Sequence, residues 1–532
     1  MEKHLRLDKA AFMLDVGGSS PIRAREAPEG SEILWESSNP AVALVGADGL
    51  VTGVSQGDAV IRAEAGGSVR ECTVSVGYEG QNPCLPPSWG LFIADGEPHV
   101  FHGRVYVYGS RDCPNGFMAG APKNDWCSDD YHVIWSDDLV HWTDAGRAVS
   151  IDCIPEEIRG TGTRLWAPDL FKGPVDGRYY LTFCTNGADI YIADADNPAG
   201  PFGNIKKMTM AGAEVKCIDP AALVDGDEVY IALPFDFIIA RLDPGDYSRI
   251  LPESKTVLRH VIDAADPDYY PFEGPSLRKR GGLYYYIYIA SRKGEHVPTR
   301  MDYLISENLM TDRRETDAWR YGGHFIETRD FIRAGNVHGS FCEFGGETYL
   351  SYHRMAPGYE RFTRMLNLDR LEFGPNGRAV CERTSSGAKG AFRLGETIQA
   401  ASACAFSGGR DDDRFVLPGK DGPPPGCPPG YAYVRLEAGA WVSYKWAGLG
   451  ETAVGIELCW RCAEDSKVAL TLIQGDAEYK YLVDAGGGAG FRTARHPLEL
   501  PRGCCEVRFE LAPSPRPVET AGFELVWFRF IY

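Results

Sequence analysis

The segment Pro271–Ser291 reads P-F-E-G-P-S-L-R-K-R-G-G-L-Y-Y-Y-I-Y-I-A-S and decides the fold. Leu283, Tyr285, Ile287 and Ile289 alternate with Tyr284, Tyr286 and Tyr288. This period-2, aromatic and β-branched text suits a pleated, half-buried strand. Gly281-Gly282 lies between two such runs and supplies the positive φ angles that a two-residue hairpin turn demands. The expected element is a β-hairpin with a carboxylate, Glu273, at its mouth.

The same grammar returns four more times. It reads H-V-F-H-G-R-V-Y-V-Y-G-S around Gly103, D-L-F-K-G-P-V-D-G-R-Y-Y-L-T-F-C around Gly177, P-A-A-L-V-D-G-D-E-V-Y-I-A-L around Gly226, and S-F-C-E-F-G-G-E-T-Y-L-S-Y-H around Gly345. The spacing of roughly 50 to 75 residues is long enough for a four-stranded propeller blade with its loops. A single blade would leave one apolar face bare, so five blades must pack around an axis. The inner strands then converge, and their entrances meet in one funnel.

A chain of 532 residues is too long for one core and should divide into about three domains. Its net charge of −19 and lack of a basic stripe argue against a nucleic-acid partner, which requires clustered Lys and Arg. No run of about 18 apolar residues is present to span a membrane. The opening M-E-K-H-L-R-L-D-K-A-A-F-M-L-D-V is charged where a signal peptide requires an apolar stretch, so a cytoplasmic location is expected. Fifteen cysteines, an odd number spread along the chain, suit free thiols in a reducing compartment. Cys459 and Cys462 form a C-x-x-C without a second well-spaced pair, so they read as buried strand cysteines rather than a zinc site.

Residues 1–80 are short alternating runs broken by glycines. The text L-W-E-S-S-N-P-A-V-A-L-V from Leu34 and G-L-V-T-G-V-S-Q-G-D-A-V-I-R-A from Gly49 resembles the bacterial Ig-like group 2 domain, a small β-sandwich usually found on extracellular proteins. Residues 81–384 carry the five repeats. Residues 385–532 change grammar again. I-Q-A-A from Ile398, L-E-A-G-A-W-V-S-Y from Leu436 and F-E-L-V-W-F-R-F from Phe523 resemble the family 6 type of carbohydrate-binding jelly-roll sandwich. Phe491 stands where that family often has a ligand-gripping tryptophan, and the proline-rich run Gly422–Gly430 reads as an inserted loop. The whole is expected to be all-β: a five-bladed propeller between two sandwiches.

Three carboxylates stand at matching places, just ahead of the first strand of a repeat. They are Asp95 in I-A-D-G-E-P-H-V-F, Asp169 in L-W-A-P-D-L-F and Glu273 in F-E-G-P-S-L. Alone, each is most simply a turn former. Brought together in a funnel they fit glycoside hydrolysis, where one carboxyl stays protonated to donate to the leaving oxygen and another, ionised, activates water. A third carboxylate raises the pKa of the acid by like-charge repulsion.

These features together resemble the five-bladed propeller of glycoside hydrolase family 43. The matching stretches are A-D-G-E-P-H-V-F, D-Y-H-V-I-W-S-D-D-L-V-H-W-T-D from Asp130, W-A-P-D, E-G-P, and V-H-G-S followed by Y-H-R at Tyr352. The resemblance implies Asp95 as general base, Asp169 as pKa modulator and Glu273 as general acid. It makes His338 the axial histidine, beside a bound water or structural calcium, with Arg354 contacting the substrate or the base. No other cofactor is implied. Many relatives have Asp-Pro where this chain has Asp95-Gly96, which makes Glu97 a rival for the base. The long loop Cys113–Asp130 carries Trp126, whose ring can stack on a sugar, while Trp166 reads as packing. The resemblance implies an inverting exo-glycosidase that removes terminal α-L-arabinofuranose or β-D-xylose from plant oligosaccharides or polysaccharides. A propeller acting on another sugar, such as a galactoside, or one that only binds carbohydrate, is the alternative.

Overall fold

The computed structural model describes residues 4–113, 126, 128–295, 299–310, 318–328, 335–356, 363–407, 432–512 and 522–532, with the backbone of Phe415–Val416. The run Gly422–Gly430 and most of the loop preceding Trp126 lie outside the described residues. The described residues are mostly β, with one short α-helix at Arg259–Ala265.

Five four-stranded antiparallel blades follow one another. The first strands, which line the axis, are Phe92–Phe101, Leu165–Lys172, Ala221–Asp225, Tyr269–Arg280 and Gly339–Phe344. Each pairs with the returning strand of the hairpin read in the sequence. In blade 4, Arg280 faces Leu283 across Gly281 and Gly282, whose φ values of 57° and 80° make the two-residue turn that residues with side chains adopt poorly. Tyr285 packs with Phe341 and Phe373 toward blade 5, and Tyr286 and Tyr288 pack with Phe237 toward blade 3. Alternate tyrosines thus serve opposite faces of one blade, and burying each ring contributes about 1.5–3 kcal/mol.

The ring closes where the inner strands of blades 1 and 5 meet in parallel at Gly96 and Gly339. A Cβ on Gly339 would stand 2.1 Å from the Ser351 carbonyl oxygen, and one on Gly96 would stand 2.8 Å from Leu366 Cδ1. The glycine in Asp95-Gly96 therefore belongs to ring closure.

The N-terminal sandwich joins the propeller edge to edge. Its strand Ala11–Leu14 pairs with the outermost strand of blade 1, Trp142–Ser150, through Phe12 with Thr143 and Ala11 with Asp144. An open edge invites pairing with other chains, and this sheet extension covers part of it. The C-terminal domain is a sandwich of two sheets around Val434, Tyr444, Leu458, Leu470, Phe509 and Phe528. Phe491 lies 5.6 Å from the Tyr433 ring and 4.5 Å from the Arg461 guanidinium. Cys459 and Cys462 are buried in one strand of this domain.

Candidate active site

Two local devices redirect side chains of the inner strands. The pairing register slips between Ala94 and Glu97, between Trp166 and Asp169, and on both sides of Glu273. Such bulges bend a strand and redirect its side chains. Asp95 and Asp219 adopt left-handed backbone, with φ of 54° and 47°. For residues other than glycine this costs about 1–3 kcal/mol, and such strain clusters at functional sites. Asp219 immediately precedes Pro220 and the inner strand of blade 3.

Asp95 is buried and fully engaged. Arg364 Nη1 donates to its Oδ1 at 2.8 Å, Ser110 Oγ donates to its Oδ2 at 2.6 Å, and His338 Nδ1 stands 3.5 Å from Oδ1. Its backbone N–H donates to His353 Nδ1 at 2.9 Å, which leaves the proton of that ring on Nε2 facing Asn336 Oδ1 at 3.1 Å. Burial opposes ionisation of Asp95, but Arg364 and His338 outweigh it and hold the carboxyl well below the usual carboxylate range. Arg364 is itself fixed by both oxygens of Asp112, at 2.7 and 2.9 Å, and carries the Trp126 ring at 4.3 Å from its guanidinium carbon.

Glu273 is in the opposite state. Its carboxyl is pushed up to about 8, first by desolvation and then by the negative charges of Asp219 and Asp95. Asp219 is pushed up to about 6 by burial, with Asp95 adding and His338 opposing. Asp219 Oδ2 accepts the backbone N–H of Gly274 at 3.2 Å. His338 is raised to about 9 because Asp95, Asp219 and Glu97 overcome its desolvation. The funnel therefore holds an ionised carboxylate, a protonated carboxyl, a second acid tied to that carboxyl's neighbour and an imidazolium.

Two residues expected here lie elsewhere. Asp169 sits in a separate axial cluster: His99 Nε2 is 2.6 Å from its Oδ1, and its oxygens accept the backbone N–H groups of Leu170 and Ala222. Arg278, paired with Glu97, is 3.9 Å from it. The carboxylate that acts on Glu273 is Asp219, because blade 3 is the neighbour of blade 4 and blade 2 is not. Arg354 is turned away from the funnel and donates to the carbonyls of Asn82, Ala401 and Ala403, joining the propeller to the C-terminal domain. Successive strand residues face opposite sides, so once His353 faces Asp95, Arg354 must face the other way.

Arg364, Ser110, His353 and Asp219 went unread in the sequence. The C-I-D-P-A-A text is a usable signal, since it places an acid just ahead of the first strand of a repeat. Glu97 is spent on Ser276, at 3.0 Å, and on Arg278, below the funnel floor. Trp166 donates from Nε1 to the Trp126 carbonyl at 3.4 Å and packs beside the core between blades 2 and 3.

Glu97 Oε1 and His338 Nε2 are buried, face each other at 3.9 Å and have no hydrogen-bond partner among the described residues. Calcium takes six to eight oxygen ligands. One carboxylate oxygen and an imidazole do not form such a set, and the described residues contain no metal-holding group of three acidic, His or Cys side chains. The donor set does not fit calcium.

A five-bladed propeller whose funnel brings a carboxylate held low in pKa beside a carboxyl held high carries the kind of pair that glycoside hydrolysis uses. The chain belongs to family 43 of the glycosyl hydrolases, whose model matches residues 115–379, and the bacterial Ig-like group 2 model matches residues 3–74. A xylosidase/arabinosidase of Thermoclostridium stercorarium is 30% identical over 58% of this chain and 67% of its own length. An arabinoxylan arabinofuranohydrolase of Paenibacillus polymyxa is 30% identical over 51% of this chain and 46% of its own. Among solved structures, a family 43 arabinoxylan arabinofuranohydrolase from Bacillus subtilis, in complex with cellotetraose, aligns with a TM-score of 0.46 at 20% identity. It covers 83% of this chain and 96% of that one.

Proposed function

We propose that the protein is an inverting exo-glycosidase that releases terminal α-L-arabinofuranose or β-D-xylose from plant polysaccharide fragments. The observation that carries the chemistry is the opposite protonation of two neighbours, Asp95 ionised and Glu273 protonated at neutral pH. Asp95 takes a proton from the attacking water, and Glu273 gives its proton to the glycosidic oxygen as the bond to the anomeric carbon breaks. Asp219 keeps Glu273 protonated and, through Gly274, fixes the backbone next to it. Arg364 and Ser110 hold Asp95, and Trp126 beside Arg364 offers a ring to the sugar. The choice of a pentose is supported by the names of the two relatives at 30% identity.

The test is hydrolysis of 4-nitrophenyl α-L-arabinofuranoside and β-D-xyloside by the wild type and Glu273→Ala. Cleavage of either by the wild type, with a loss of about a hundredfold or more in the variant, supports the reading. Proton NMR of the first-formed sugar anomer then decides inversion, and a retained anomer overturns it. Hydrolysis of neither pentoside but of a galactoside moves the specificity and leaves the chemistry standing.

We further propose that the enzyme acts in a reducing compartment on short imported oligosaccharides. Thirteen described cysteines are free thiols, including Cys184 against Asp219. Activity recovered mainly from the culture medium would overturn this location.

A further inference from the structure

Blades 3 and 4 flank Glu273, and they hold the only aromatic rings that stand well out of the surface among the described residues of the propeller. These are Phe235, 48% exposed, and Tyr270, 51% exposed. Nearly all other rings in this domain are spent between blades, so two bare ones on adjoining blades call for an explanation.

Both lie at the funnel end. In blade 3 the inner strand starts just after Asp219 and runs away from the site. The second strand returns, with Ala232 opposite Ala221, so the turn 234–237 comes back to the level of Asp219. The Phe235 backbone lies beside the Cys217 thiol, two residues ahead of Asp219. Tyr270 lies on the inner strand of blade 4, three residues ahead of Glu273, and pairs with Ser291.

The turn is built to show one ring and hide the next. Phe237 N–H donates to the Pro234 carbonyl at 3.0 Å, and Asp236 and Phe237 both adopt left-handed backbone, with φ of 63° and 51°. Two consecutive non-glycine residues in this region carry a conformational cost that packing around them must offset. Phe237 turns inward, 5.9 Å from the Tyr288 ring, and Phe235 is left facing solvent. The Arg259 guanidinium stands 5.6 Å from the Phe237 ring and 6.0 Å from the Tyr270 ring, tying the turn to the Tyr270 strand.

We propose that Phe235 and Tyr270 form the platform for the leaving-group sugar, so that preferred substrates are oligosaccharides with at least one neutral sugar ring beyond the scissile bond. The inference rests on Glu273 acting as the acid. That residue protonates the oxygen of the departing sugar, so the departing sugar lies on its side of the funnel, where both rings stand. An aromatic face stacks on the apolar C–H face of a pyranose without needing a charge on the ligand.

The test compares Phe235→Ala, Tyr270→Ala and the double variant on xylotriose, or on an arabinose-substituted xylotriose if the arabinoside is preferred, and on the matching glycosyl fluoride, which has no leaving-group sugar. The ratio of kcat/KM on the oligosaccharide to that on the fluoride should fall about tenfold in the double variant, mainly through KM. An unchanged ratio in an active enzyme overturns the platform alone, whereas a wild type inert on every glycoside overturns the catalytic reading. Should the wild type be inert, calorimetric titration of xylotriose into the wild type and the double variant gives a readout that needs no turnover. Weaker binding by the variant supports the platform, and equal binding sinks it. Replacing exposed rings leaves the core intact, and circular dichroism of each variant checks that it is folded.

Discussion

The backbone N–H of Gly274 reaches Asp219 Oδ2 at 3.2 Å, so the residue that follows Glu273 is bonded to the carboxylate that raises the Glu273 pKa. Gly274 can do this because its φ is +63°. A Cβ there would stand 2.5 Å from Ile289 Cγ1 and 3.2 Å from His338 Cδ2. One contact thus sets both the position and the protonation of the acid, and it joins blade 3 to blade 4 at the point where the chemistry is placed.

From this relationship, Asp219→Asn should move the alkaline limb of the kcat/KM profile to lower pH. A general acid works while protonated, and Glu273 holds its proton up to about 8 partly because Asp219 is negative. With that charge gone the acid ionises earlier, and activity at pH 7 should fall about twofold to tenfold. Asp169→Asn should instead lower the thermal midpoint by unpairing His99 and leave the limb in place. A shifted limb in the Asp169 variant and none in the Asp219 variant would reverse the assignment.

Arg364→Met should act on the other limb. Arg364 opposes the burial of Asp95 and keeps it ionised far into acid, so its removal raises the Asp95 pKa and lifts the acid limb toward neutrality. Asp112 would lose its bidentate partner while buried, at a cost of about 3–5 kcal/mol. Urea unfolding and the pH profile measure the two effects separately. An acid limb that stays put would show that Arg364 does not set the charge of Asp95.

Much of this was legible in the sequence, and what was not has a geometric cause. The hairpins were legible because a period of two and a glycine pair are local properties, as Arg280–Leu283 shows. The convergence of Asp95 and Glu273 was legible because the inner strands of a propeller meet at its axis, although both residues lie within their strands rather than ahead of them. Asp169 and Asp219 are not told apart by their local text, and only the order of blades around the axis tells which one adjoins Glu273. Arg354 and Arg364 were exchanged for a subtler reason. They lie on paired strands, Arg354 opposite Met365 and Arg364 opposite Met355, and which arginine faces the axis depends on a register fixed by the alternation at His353.

Arg354 carries a prediction of its own. Three backbone carbonyls from two domains accept its guanidinium, and the side chain is buried. Arg354→Met should leave those carbonyls short of donors, destabilise the junction by about 1–3 kcal/mol and allow the C-terminal domain to unfold at a lower temperature than the propeller. Calorimetry should show one broad or split transition in place of a joint one, while neither pH limb moves. A shifted limb with an intact transition would return Arg354 to the funnel.

The acid itself should cost stability as pH rises. Glu273 has a folded-state pKa near 8, above its ordinary value of 4.5, so the folded state binds the proton more tightly than the unfolded chain. The contribution of this group is fully present below about pH 4.5 and is lost as pH rises through 8, where folding must bury an ionised carboxylate beside Asp219. Glu273→Gln keeps the shape and removes the titration. Its thermal midpoint relative to wild type should therefore climb between pH 5 and pH 8 and level off above, reaching a gain of a few degrees, while hydrolysis is lost. A difference in midpoint that is flat across this range would show that Glu273 titrates as an ordinary carboxylate, and with that the protonated acid at neutral pH would have no basis.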